Sequence, residues 1–364
     1  MRLQILIFFS HPAQFLFYSK AIHSLKNKGH ELTLLIKTKD ILARLLDESG
    51  FEYYNIIPKA RGNSKLGILL NLFKRNWKLF NFVRKRKIDI LMGSDASLAH
   101  VGKLLNIHCI TTLEDDYKVI KVLARLTFPF TSTILAPAIC DVGKWHHKKI
   151  SYQGYMKLAY LHPSQFIPDR NKVMIEASQP YFLLRLSGLS AHHDFGIKGL
   201  SGVLLKEIIT RLEHKGRVLI SSEKTLSPEY EHYRLKIPLS DIHHYLYFAQ
   251  MLISDSQSMS VEAAVLGTPG IRISSFFGKI SVLKELEHTY QLTYGFDPAN
   301  ENGILSKLDE LLDSTDLKDR HQIYRQKMLA DKINVTPFLV WFIENYPVSI
   351  RIMKENPGYQ YRFK

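Results

Sequence analysis

Cysteine is scarce in this 364-residue chain: Cys109 and Cys140 are the only two, both in apolar surroundings and without metal-ligand spacing. A disulfide scaffold and a zinc ribbon are thereby excluded, and a reducing cytoplasm is the expected compartment. No apolar run reaches the ~18 residues of a membrane span. The opening Met1–Phe9 is too short for the apolar core of a signal peptide and runs into Ser10-His11-Pro12, so no signal peptide is expected. No Gly-rich loop ends in Lys-Ser/Thr, and no Gly-x-Gly-x-x-Gly follows the first strand, which argues against a P-loop NTPase and a classical NAD enzyme. A Gly-x-Ser-x-Gly elbow is also missing. Helix-turn-helix, zinc-finger and RNA-binding signatures are absent, so nucleic acid is not an expected partner.

Acid is missing where base is dense. The net charge is +15, and Lys59–Lys87 carries ten basic residues and no Asp or Glu. Leu69, Phe73, Trp77, Phe80 and Val83 share one face of a helix expected over 64–87. A basic helix with Trp and Phe has the composition of an interfacial membrane element. It also fits an ordinary amphipathic helix packed on its own sheet. An anionic membrane surface met through 59–87 is one expected partner, with peripheral attachment to the inner face of the membrane.

Hydrophobic residues make up 46% of the chain and charged residues 23%, which is globular, and the length suits two domains. Strands are expected at Leu3–Phe9, Glu31–Ile36, Phe51–Ile57, Ile88–Met92, Ile107–Thr112 and Thr131–Leu135. Helices are expected between them, at Phe15–Lys28, Asp40–Ser49 and Leu98–Leu105. This alternation predicts an α/β doubly wound sheet. Turn formers over Ser151–Asp169 mark a crossing into a second α/β domain. Its expected strands are Tyr181–Leu186, Arg217–Ser221, Met251–Ser254 and Gly270–Ile273. Helices at Ile304–Leu312 and over one stretch Asp316–Tyr346 close the chain. The domains are expected at 1–160, 161–335 and a returning helix and basic tail at 336–364.

The run Ile253 to Arg272 carries the most chemistry. A buried strand ends in a polar turn, and Ser256, Gln257 and Ser258 open a short helix. Free N–H groups and the positive dipole end at that first turn suit a diphosphate. Glu262 lies one turn further on, where a carboxylate can accept both hydroxyls of a ribose. The same run also reads as a capped helix in any α/β sheet, with Asp255 or Ser256 as N-cap. Other loops follow the carboxyl ends of strands, where ligands bind in open α/β sheets: His11 after the first, Asp95 after the fourth, Glu114-Asp115-Asp116 after the fifth, and Arg185 to Gly196 with His192 and His193. Asp95 also reads as a helix cap. Three adjacent carboxylates cannot all face one ion, and none of the His pairs at 146, 192 and 243 has metal spacing, so no metal is expected. The pair His243-His244 reads as a surface or packing feature.

Asp255, Ser256, Glu262, Leu266, Gly267 and Pro269 resemble the donor-nucleotide segment of GT-B glycosyltransferases and UDP-N-acetylglucosamine 2-epimerases. There Asp-Ser-Gly-Gly precedes a glutamate and Leu-Gly-x-Pro. Here Gln257 and Ser258 replace the two glycines, so side chains are expected where bare backbone would approach phosphate. With Ser10–Ala13, Tyr152–Tyr155, Leu158–Pro163, Phe166–Asp169, Leu184–Leu186 and Ala191–Asp194, about residues 1–345 resemble an uncharacterised prokaryotic GT-B-like family grouped with those epimerases. The resemblance implies two Rossmann-like domains facing a cleft, with the C-terminal helix crossing back, and a nucleotide-sugar ligand. It matches Asp95, Glu114 and His192 to epimerase acid–base positions. An acid of their Pro-Glu-Glu run has no counterpart at Phe128-Pro129-Phe130, and their Arg-Pro-Glu is here His11-Pro12-Ala13.

The leading expectation is therefore a metal-independent GT-B glycosyltransferase using a nucleoside-diphosphate sugar in surface polysaccharide or glycolipid synthesis. Ser256, Gln257 and Ser258 would bind diphosphate and Glu262 ribose. Arg185 or His192 would neutralise the leaving group, and His11 or Asp95 would act as base toward a glycan or lipid-linked acceptor. No cofactor is expected. The alternatives are a UDP-sugar 2-epimerase-like isomerase or hydrolase, with Asp95 and Glu114 as acid and base, and a non-catalytic nucleotide-sugar-binding protein.

Overall fold

The structure is a computed structural model that describes residues 2–37, 40–57, 65–187, 200, 202–222 and 225–364. The chain divides into two units, one of residues 1–165 with 332–364, the other of residues 166–331. Each is built on a single parallel sheet.

The first unit has seven strands: β1 (Gln4–Phe9), β2 (Glu31–Lys37), β3 (Tyr54–Ile57), β4 (Ile90–Gly93), β5 (His108–Thr112), β6 (Thr133–Pro137) and β7 (Lys149–Tyr152). All pair in parallel in the order β3-β2-β1-β4-β5-β6-β7. Ile5 to Phe9 are fully buried, as the central strand of a sheet covered on both faces must be. The order reverses between β1 and β4. Right-handed crossovers therefore place the helices Pro12–Asn27 and Asp40–Glu48 on one face, and Lys65–Val83, Ala96–Leu105 and Lys121–Thr127 on the other. The C-terminal helix Val335–Glu344 packs on Pro12–Asn27. Its Glu344 accepts hydrogen bonds from Lys28 Nζ at 2.6 Å and pairs with His30 Nε2 at 3.2 Å.

The second unit has β8 (Tyr181–Leu186), β9 (Arg217–Ser222), β10 (Met251–Ser254), β11 (Gly270–Ile273) and β12 (Tyr294–Phe296), in the order β12-β11-β10-β8-β9 and parallel throughout. Its core joins Leu184, Ile220, Ile253 and Ile271 on the strands to Leu204, Ile208 and Leu308 on the helices. The two sheets make the fold α/β with two Rossmann-like units.

Several element expectations need correction. The first helix begins at Pro12 rather than Phe15, because His11 caps it. The third strand begins at Tyr54 rather than Phe51. Strand β7 precedes the turn-rich segment and shares Ser151 and Tyr152 with it. The stretch 316–346 is two helices, Leu317–Asp331 and Val335–Glu344. The chain turns out at Lys332–Asn334, where Ile333 N–H donates to Gln153 O at 2.7 Å and Asn334 N–H to Phe363 O at 2.7 Å. The apolar stripe expected on the basic helix also divides. Leu79 and Val83 are buried, whereas Phe73 and Trp77 face solvent.

A half-buried imidazole sets a pH dependence. The His108 ring lies tilted against Tyr346 with ring centroids 4.0 Å apart, and burial lowers its pKa from 6.5 to about 4. Unfolded chain takes up this proton near 6.5 and folded chain only near 4, so stability is full above 6.5 and falls as pH drops toward 4. The loss should be on the order of 3 kcal/mol. Thermal melts at pH 7.5 and 4.5 should show it, and His108→Gln should flatten the difference; an equal fall in the variant would assign it elsewhere.

Candidate functional site

In each unit the sheet order reverses at one point, and the loops leaving the two strands there form the crevice in which open α/β folds bind ligands. In the first unit these loops follow β1 and β4, with the loop after β5 next to them. They carry His11, Asp95 and Glu114, on neighbouring strands at the same sheet edge. The close approach of β4 to β1 requires Gly93, with φ of +150°: a Cβ there would lie 2.5 Å from the Phe8 carbonyl oxygen.

The three side chains are engaged differently. His11 is exposed and caps its helix, Nδ1 accepting from Ala13 N–H at 3.2 Å. Asp95 is buried. It caps the helix Ala96–Leu105 through Ser97 N–H at 2.9 Å and pairs with Arg75 Nε at 3.2 Å. Arg75 Nε also donates to Ser97 Oγ at 2.6 Å. Glu114 accepts from Met156 N–H at 2.5 Å and Lys157 Nζ at 2.6 Å. Asp116 turns inward and accepts from Asp141 N–H at 2.8 Å, while Asp115 faces out. The acidic triplet thus points three ways, and among the described residues no group of three His, Cys, Asp or Glu could hold a metal ion.

In the second unit the reversal lies between β8 and β10, and the loop after β10 is Asp255-Ser256. Asp255 accepts from Ser187 N–H at 2.6 Å and so ties the two strand ends together. Burial raises its carboxyl pKa, against the lowering effect of that bond. Ser256 is the N-cap of the helix Gln257–Leu266, its hydroxyl accepting from Met259 N–H at 3.4 Å. Ser254 Oγ accepts from Ser256 N–H at 2.9 Å. The first-turn N–H groups have no partner four residues back, so those of Gln257 and Ser258 point out of the helix end. Gly267, at φ +73°, ends the helix in the left-handed conformation.

Gln257 overturns the expectation of a side chain standing in the phosphate approach. Its amide is turned into the unit, donating to Ser274 Oγ at 2.5 Å and accepting from Arg272 Nη1 at 3.2 Å. At this position the replaced glycine therefore puts no side chain over the helix end. Glu262 is buried on the same helix with its carboxylate 3.6 Å from His243 Nε2. His243 and His244 are both buried and not surface residues: His244 Nδ1 accepts from Asp169 N–H at 3.0 Å, and both rings meet Phe166. Arg185, at the end of β8, donates to Ser221 Oγ at 2.9 Å. His192 and His193 lie outside the described residues.

Residues 3–286 match the family described as protein of unknown function DUF354. The chain belongs to the DUF354 family. Solved structures share the fold of this DUF354 protein. The S. aureus MnaA co-structure with UDP has a TM-score of 0.69 at 13% identity, covering 95% of this chain and 97% of that one. The UDP-GlcNAc 2-epimerase from Neisseria meningitidis, bound to UDP-GlcNAc, has 0.65 at 12%, covering 94% and 99%. A Streptomyces glycosyltransferase complexed with thymidine diphosphate has 0.59 at 13%, covering 94% and 99%. No curated protein matches the DUF354 chain. At these identities the likeness shows the fold.

The residue types alone missed Arg272 and Lys157 as parts of the two sites. A cation in the apolar strand Gly270–Ile273 and another in the apolar run 155–161 were the available signals, since an ion in such surroundings needs a partner.

Proposed function

We propose that this protein is a GT-B glycosyltransferase that takes its sugar from a nucleoside diphosphate. The observation that carries the reading is the end of the helix Gln257–Leu266. Two outward N–H groups, a positive dipole end and a buried carboxylate one turn on lie at the reversal point of a Rossmann-like sheet. Gln257 and Ser258 N–H would hold the diphosphate and Glu262 the ribose, with Arg185 and His192 or His193 as cationic and proton-transfer groups near the leaving diphosphate. His11 would take the proton of the attacking hydroxyl. The acceptor would be a glycan or a lipid-linked glycan, handled in the cytoplasm.

Asp95 and Glu114 fit positioning better than proton transfer, because Arg75 and Lys157 already neutralise them. That weakens the epimerase reading, which needs both as acid and base. Incubation with UDP-sugars and no acceptor separates the two readings: free UDP with a newly formed monosaccharide would establish the epimerase chemistry and overturn the transferase. Binding without turnover across donors and acceptors would leave a nucleotide-sugar-binding protein.

Glu262→Ala should weaken UDP or GDP binding by roughly 1.5–3 kcal/mol, the range for hydrogen bonds to a charged group. Calorimetric titration checks it, and unchanged affinity in a folded variant removes Glu262 from the ribose site.

A further inference from the structure

We propose that the outer face of the first unit, formed by the helices Lys65–Val83, Ala96–Leu105 and Lys121–Thr127, docks on an anionic lipid surface. This does not depend on the transferase reading. The charge of the chain is concentrated in this unit. Residues 1–165 with 332–364 hold 30 Lys and Arg against 13 Asp and Glu, whereas residues 166–331 hold 19 against 21. The three helices contain no acidic residue. The helix Ala96–Leu105 packs between the other two. His100 joins all three: Asn76 Nδ2 lies 3.0 Å from Nδ1, Nε2 lies 2.8 Å from the Leu126 carbonyl oxygen, and the ring meets Phe130 edge-on.

On this face the exposed side chains are apolar and cationic together. Phe73 is 66% exposed, Trp77 67%, Leu104 71% and Val122 75%, with Leu126 and Phe130 also exposed. Phe73 and Trp77 are one helical turn apart, as are Val122 and Leu126. Lys74, Lys103, Lys121 and Arg125 are exposed among them. Apolar surface of this kind on a folded protein marks an interaction site. Aromatic and aliphatic groups that enter the acyl boundary, flanked by cations at headgroup level, match an anionic bilayer. A soluble polyanion would use the cations and leave the apolar groups wet. A second copy would bring the same positive charges face to face. No helix among the described residues is long and apolar enough to cross a membrane, so the contact is peripheral.

The test is co-flotation of the full chain with vesicles at low salt. It should partition onto equal mixtures of phosphatidylglycerol and phosphatidylcholine and not onto phosphatidylcholine alone. Brominated acyl chains should quench fluorescence in the wild type, and Trp77→Phe should remove that quenching. A variant with Lys74→Gln, Lys103→Gln, Lys121→Gln and Arg125→Gln should lose about 10²–10³-fold in partition, from about fivefold per charge. The four positions are exposed, so its melting temperature should stay near that of wild type. Wild type that ignores anionic vesicles, a fourfold variant that binds as well as wild type, or binding without Trp77 quenching that polyphosphate displaces would each overturn the proposal. So would a solution dimer that Trp77→Asp and Val122→Asp dissociate.

Discussion

Arg272→Met is expected to destabilise the second unit by about 3–5 kcal/mol, the cost of removing one partner from a buried ion pair. Arg272 is 1% exposed on β11, with Nη2 3.7 Å from Glu287 Oε2 and Nη1 on the Gln257 amide. Burial lowers its pKa, and the Glu287 charge opposes that shift. Glu287 in turn accepts from Gly295 N–H of β12 at 3.0 Å. A Cβ on Gly295 would come within 2.6 Å of Arg272 Nη2, so a larger residue there would push on the same ion pair. Methionine fills much of the volume but leaves the Glu287 carboxylate without a cation. For a unit of this size the melting temperature should fall by roughly 6–20 °C. Adding Glu287→Gln should return more than half of the loss, because the amide still accepts from Gly295 and no unpaired charge remains. A single variant that melts like wild type, or a double variant no better than the single, would show that the ion pair does not hold this region together. Since Gln257 hangs on the same guanidinium, nucleotide affinity should also fall in both variants.

What was legible in the sequence follows from range. The alternation of apolar strands and capped helices is a local signal, and it predicted the two doubly wound sheets and the loops at the carboxyl ends of their strands. The Asp255–Pro269 run was legible because cap, helix and Gly267 stop are contiguous. The direction of a side chain across the fold was not. Gln257 turns inward only because Ser274 and Arg272, more than a dozen residues away, offer partners. Asp95 reads equally as a base or a cap until Arg75, twenty residues earlier, is found against it. Periodicity placed Phe73 and Trp77 on one face with Val83 and left open whether that face meets the sheet or a membrane, since an apolar residue on a helix gives the same signal in both. Strand β12 escaped notice because three residues are too few to set a period.

His11→Ala is expected to lower turnover by ~10²–10⁴-fold, the range for loss of a general base, once a donor and acceptor pair is in hand. Among the candidates in the first unit, His11 differs in kind. Asp95 and Glu114 sit at the same sheet edge but are buried or nearly so and paired with Arg75 and Lys157. Each carboxylate is already committed to structural partners, Asp95 to Arg75 and its helix cap, Glu114 to Met156 N–H and Lys157. His11 is exposed, beside the reversal point, as the N-cap of the helix Pro12–Asn27. Its Nδ1 accepts from Ala13 N–H, so the neutral ring carries its proton on Nε2, and to take a proton from the hydroxyl Nδ1 must release that cap. His11→Asn separates the cap from the chemistry, since its side-chain oxygen can still accept at the N-cap while offering no base. The expected pattern is a large fall in kcat for both variants with nucleotide affinity unchanged, and a smaller loss of stability for Asn than for Ala. Asparagine that keeps wild-type turnover would reduce His11 to a helix cap. The base would then have to be sought at His192 or His193.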